Sequence, residues 1–194
     1  MKRLSVIAAA AALGVMATPV AAQMGFDGAN FVQAVRERDG NKAMELLRSR
    51  PVVINARDDR GDTALLIAIA RKDDNWTGFL LQEGADPNLA ARNGDTPLIA
   101  AARAGYAQGV AWLLGLGAKV DGDNRMGETA LIIAVQQRQL PIIRALLEAG
   151  ANPDKTDSAA GFSARDYAKR DTRSSEILRM IETVRPSASA AAGR

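Results

Sequence analysis

Gly94-Asp95-Thr96-Pro97-Leu98-Ile99-Ala100-Ala101-Ala102 contains a helix start spelled out residue by residue. Thr96 can accept a hydrogen bond from a free backbone N–H, and Pro97 follows at the first helical position, where its missing N–H has no partner to lose. Leu98, Ile99, Ala101 and Ala102 then present small and medium apolar faces, which lets neighbouring helices approach closely. Gly105 suits the left-handed conformation that stops a helix and reverses the chain. The pattern predicts a short helix over 97–104, a tight turn, and a second helix over 107–116 with Val110, Trp112, Leu113 and Leu114 as its apolar stripe. Gly117 closes that helix, and residues 118–127 read as a projecting hairpin. Such a unit cannot bury both its faces alone, so it must stack on copies of itself.

The copies are in the chain. Gly61-Asp62-Thr63-Ala64-Leu65 returns 33 residues later as Gly94-Asp95-Thr96-Pro97-Leu98, and after 33 more as Gly127-Glu128-Thr129-Ala130-Leu131. Gly84-Ala85-Asp86, Gly117-Ala118-Lys119 and Gly150-Ala151-Asn152 keep the same step. Many columns matching at one period of this length indicate a stacked helical array.

These residues resemble the ankyrin repeat, whose pattern is Gly-x-Thr-Pro-Leu-His-x-Ala-Ala, a turn glycine, a Leu-Leu helix and Gly-Ala-Asp-x-Asn. The matching stretches include 96–102, Leu80-Leu81-Gln82-Glu83-Gly84-Ala85-Asp86-Pro87-Asn88 and Leu146-Leu147-Glu148-Ala149-Gly150-Ala151-Asn152-Pro153-Asp154. The resemblance implies an all-α ankyrin-repeat solenoid of about five helix-turn-helix units with projecting hairpin loops over residues 28–185. Units 58–90, 91–123 and 124–156 are complete. Unit 28–57 lacks the Thr-Pro-Leu start and keeps Phe31, Ala34, Val35, Leu46, Leu47 and Asn55. Unit 157–185 places Arg165 in the column of Leu65, Leu98 and Leu131, as a terminal unit with one neighbour can. The family's histidine column holds Leu66, Ile99 and Ile132, which we read as burial replacing a polar tie. Lys72 and Arg138 stand where Gly105 ends its helix; a left-handed backbone there would strain each by about 1 kcal/mol relative to glycine, which leaves open that those two turns differ in shape.

Composition narrows the function. The chain is 47% hydrophobic and only 4% aromatic, so the core is built mainly from Ala, Leu, Ile and Val. There is no cysteine and no histidine, which excludes disulfides, thiol chemistry and any triad with an imidazole base, and leaves no metal or cofactor site in view. Lys2 and Arg3 followed by an uncharged run over 4–20 and Val20-Ala21-Ala22 read as a secretory signal, cleaved after Ala22, with a short linker over 23–27; the competing reading is an uncleaved membrane anchor, for which the run is at the lower limit of length. Removing those two cations from the 25 leaves 23 basic against 22 acidic residues. That near-neutral body offers no basic face for nucleic acid. The predicted product is periplasmic, monomeric and free of the membrane after cleavage, with a tail over 186–194 expected to be disordered.

Trp76, Trp112 and Pro141 read as structural: two aromatics packed in the core and a proline tolerated at a helix start. Asp58-Asp59 and Asp73-Asp74 read as solvated turn charges balanced by nearby Arg and Lys. The side chains left over lie at hairpin tips and the outer edges of first helices, which in the family line a concave binding side. They are Asp59, Arg60, Asp62 and Arg71; Arg92, Asn93, Asp95 and Arg103; and Arg125, Met126, Glu128, Gln136 and Gln137. The expectation is a non-enzymatic module that holds an unidentified protein partner on this face. An alternative of the same fold is an immunity-type inhibitor of one enzyme or toxin.

Overall fold

The computed structural model describes residues 20–49, 51–171, 173 and 175–184. Ten α-helices follow in order among them: α1 (Val20–Glu37), α2 (Gly40–Ser49), α3 (Ala64–Ala70), α4 (Asp74–Gln82), α5 (Pro97–Ala104), α6 (Ala107–Gly115), α7 (Ala130–Gln136), α8 (Leu140–Glu148), α9 (Ala164–Arg170) and α10 (Ser175–Thr183). A 3-10 turn, Pro51–Asn55, follows α2. The first helices α1, α3, α5, α7 and α9 pack one on the next, and α4, α6, α8 and α10 form a second layer behind them. Both layers share one continuous core that runs from Phe31 to Ile181.

The helix starts follow from the sequence. Thr63, Thr96 and Thr129 each accept a hydrogen bond from the amide three residues on, at 3.2 Å. Ser163 does the same for α9 and forms a capping box with Asp166. Leu66, Ile99 and Ile132 in the family's histidine column are buried, and each such apolar side chain contributes about 1.5–3 kcal/mol through burial. Gly105 closes α5 at φ 67°, while Lys72 and Arg138 take the same left-handed backbone at 54° and 56°. Arg38 does so too, at 63°, one unit earlier.

Two details differ from the sequence reading. Residues 23–27, expected as a linker, continue α1 without a break, and Val20–Ala22 of the expected signal open that helix. The remainder of the expected signal and the tail over 186–194 lie outside the described residues. Trp76 and Trp112 are half-buried on the second-helix layer, packed against the core and not enclosed by it. Each rings edge-on with a neighbour, Trp76 with Phe79 at 5.7 Å and Trp112 with Tyr106 at 6.4 Å.

Successive units are also tied through their loops. Asn55, Asn88 and Asp121 stand 33 residues apart, and each side-chain oxygen accepts from a backbone amide of the next unit, at Asp86, Lys119 and Asn152, all at 2.8 Å. One acceptor per unit thereby fixes the spacing of the hairpins that carry the candidate site.

Candidate functional site: the hairpin face

Each hairpin is closed by one repeated backbone bond. The amides of Asp58, Ala91 and Asn124 donate to the carbonyls of Asp62, Asp95 and Glu128, at 2.8–3.1 Å. The reversal needs a left-handed residue, supplied by Gly61, Gly94 and Gly127 at φ 83°, 88° and 73°. Gly94 is fixed for a second reason. A Cβ there would lie 2.8 Å from the backbone nitrogen of Arg125, so the next hairpin could not approach.

Side chains then hold the tips. Asp58 Oδ1 accepts from the amides of Arg60 and Asp62, Asn124 Oδ1 from those of Met126 and Glu128, and Asp157 Oδ1 from those of Ala160 and Gly161. The corresponding residue of the third unit is Ala91, and there Asn93 Oδ1 takes over by accepting from Asp95 N at 3.0 Å. Asp58 and Asp157 are buried, which by itself raises a carboxyl pKa. Hydrogen bonds outweigh this, from Arg36 and the Asp62 amide on Asp58 and from the Tyr167 hydroxyl and loop amides on Asp157, so both pKa values fall below the ordinary aspartate range.

Arginines connect one unit to another. Arg36 Nη2 donates to Asp58 and, at 3.1 Å, to Asp62. Arg103 grips Asp95 with Nε and Nη2 at 3.2 and 3.3 Å and reaches Glu128 at 3.2 Å. Asn124 donates to both of those carboxylates, at 2.8 and 2.9 Å. Burial disfavours the charge on Arg36 and on Arg103, but two carboxylates apiece outweigh it and hold both pKa values above the ordinary arginine value. Arg71 donates to the carbonyls of Val35 and Arg36, where α1 leaves acceptors open. Arg92 donates to the Asp59 carbonyl at 3.0 Å.

The candidate residues therefore divide. Asp95 is buried, and Asp62, Asn93, Glu128, Arg71 and Arg92 all make the ties just described. Asp59, Arg60, Arg125, Gln136 and Gln137 are exposed, and Met126 at 51% is an exposed large hydrophobic side chain. Asp62, Asp95, Asn93 and Arg103 also border one open groove of about 340 Å³ between the hairpins of the second and third units. Arg36, Asp58 and Asn124 were missed by the sequence reading, although Asp58 and Asn124 lie in a column visible at the repeat step. The paired acids fare similarly. Asp58, expected as a solvated charge, is buried, Asp73 caps α4 by accepting from Trp76 N, and Asp74 accepts from the Tyr106 hydroxyl at 2.6 Å. No group of three or more Asp or Glu among the described residues is placed to hold a metal ion.

The family model for ankyrin repeats, in three copies, matches residues 31–124 and again residues 73–157, together more than half of the chain. The chain belongs to the ankyrin-repeat family. Ankyrin repeats are protein-interaction modules. No curated protein matches the chain.

Proposed function

We propose that this ankyrin-repeat protein is an exported, non-catalytic module that holds a protein partner in the periplasm on its hairpin face. The observation that carries this reading is the contrast at the hairpin tips. Their backbones are pinned by repeated side-chain bonds, yet Arg60, Arg125 and Met126 project outward from them. Preorganised loops that present arginine and methionine bind with little ordering cost, and both residue types are enriched at interfaces. The export signal supports the compartment, and the array works as a monomer because its terminal units cap themselves with polar side chains such as Arg165, which grips Asp154 at 2.6 and 3.2 Å.

The test is paired. Arg125→Glu with Met126→Asp should abolish capture of the partner in a crosslinked envelope extract while the melting temperature stays within a few degrees. Undiminished capture defeats the assignment of the face. Mass spectrometry of the exported chain should find Gln23 at its start, and an intact Met1 end defeats the assignment of the compartment. If the captured protein is an enzyme or toxin that loses activity when bound, the immunity-type reading is the one to keep.

A further inference from the structure

The groove between the second and third hairpins owes its existence to two alanines that break the repeat. Two residues before each left-handed residue that closes a first helix stand Arg36, Ala70, Arg103 and Gln136. Where this position is arginine, one guanidinium gathers two hairpin carboxylates: Arg36 takes Asp58 and Asp62, and Arg103 takes Asp95 and Glu128. At the junction between them the position is Ala70, which is too short to reach either hairpin. The second break is Ala91, which stands where Asp58, Asn124 and Asp157 fill their hairpins with a side chain. Together they leave an open groove whose floor is Leu66, Ala100 and Ala104 and whose rim carries Asp62 and Asp95.

We infer that this groove receives an arginine side chain from an extended segment of the protein partner, which completes the junction as Arg36 and Arg103 complete theirs. The inference rests on the hairpin-face reading above. The apolar floor suits the aliphatic stem, and the planar fork matches carboxylates that a lysine would meet only as a point charge. The Asp62 carboxylate is 35% exposed, so it can be reached from outside. Arg103, on the opposite rim, is held by Asp95 and Glu128, and Arg36 by Asp58 and Asp62, so the two guanidiniums around the groove stand among four carboxylates.

The probe is a set of flexible alanine–glycine peptides with one central arginine, or citrulline in its place, titrated against the full chain at low salt. Citrulline keeps the shape and removes the charge. The arginine peptide should bind at least tenfold more tightly, and Ala70→Arg, which fills the groove from within, should erase the difference. Ala70 is exposed, so that variant should melt within a few degrees of the parent. Ala70→Gln is the control for filling without charge and should weaken the arginine peptide less. Equal binding of the two peptides, or a preference that survives Ala70→Arg, overturns the inference. If the preference is absent while Arg125→Glu with Met126→Asp still abolishes partner capture, the groove assignment falls and the face stands. If both fail, the face falls with it.

Discussion

The helix layers and the hairpin face of this molecule are built from the same 33-residue unit, yet they tolerate variation in opposite ways. Inside, the columns hardly change: Leu65, Leu98 and Leu131 are buried in turn, as are Ala64, Pro97 and Ala130. On the hairpin face the same structural task passes among different residues. Asp58 and Asn124 pin their loops directly, while Asn93 does it for the loop that holds Ala91. The interior tolerates little because its surfaces interlock along the whole stack and a misfit disturbs both neighbours. The face tolerates more because a hydrogen bond can be supplied from several positions. That latitude leaves the face free to vary in sequence while its loops keep their shape.

Substitutions that break this contrast should scale with depth. Leu98→Asp places a charge between α3, α5 and α7, which costs more than about 4 kcal/mol and unfolds the array, as circular dichroism would register. Gly109→Ala comes next and runs against helix propensity. A Cβ there would lie 2.3 Å from the Tyr106 ring, so the ring must move and its bond to Asp74 breaks. A loss of about 1–3 kcal/mol in urea unfolding is expected, where propensity alone predicts a gain. Asp95→Ala removes a buried acceptor shared by Arg103, Asn124 and Asn93 and should cost about 1–3 kcal/mol. Arg125→Glu should stay within about 0.5 kcal/mol by the same assay.

Acid sharpens the comparison further. Asp58 and Asp157 have folded pKa values below those of the unfolded chain. Each therefore contributes stability that is fully present above the unfolded aspartate value of about 3.9 and is lost as pH falls through the lower folded value. Urea midpoints measured from neutrality downward should be flat until about pH 4 and then drop. Asp58→Asn should start lower and drop less. Tyr106 works at the other end, since burial and Asp74 push its pKa up to about 12. Its contribution is complete below the ordinary tyrosine value of about 10 and disappears as pH rises through the folded one, a loss that Tyr106→Phe should lack.

Much of the fold was legible because its signals are local. Thr96-Pro97 starts a helix and Gly105 ends one whatever surrounds them, and aligning units on those marks placed Lys72 and Arg138 at the turn position that the structure shows to be left-handed. Arg38 escaped because the step from the first unit to the second at that point is 34 residues, not 33. The continuation of α1 through 23–27 escaped because Gly25 and Asp27 read locally as a break and a cap, and the helix runs through both. On the candidate site the sequence supplied the right columns but not their occupation. Nothing local separates Asp95, buried beneath Arg103 and Asn124, from Asp59, which is exposed. The difference comes from partners 8 and 29 residues away.

Met126 on a hairpin tip and Leu116 at the end of α6, in the second-helix layer, are both exposed large hydrophobics, at 51% and 54%. Leu116 also borders an apolar groove with Gly78, Leu81 and Trp112. Placing a photo-crosslinking amino acid at each position in turn, in the full chain produced in living cells, asks which layer meets a partner. A discrete protein adduct from Met126, and none from Leu116, is the predicted result. The same adduct from Leu116 with nothing from Met126 would contradict it.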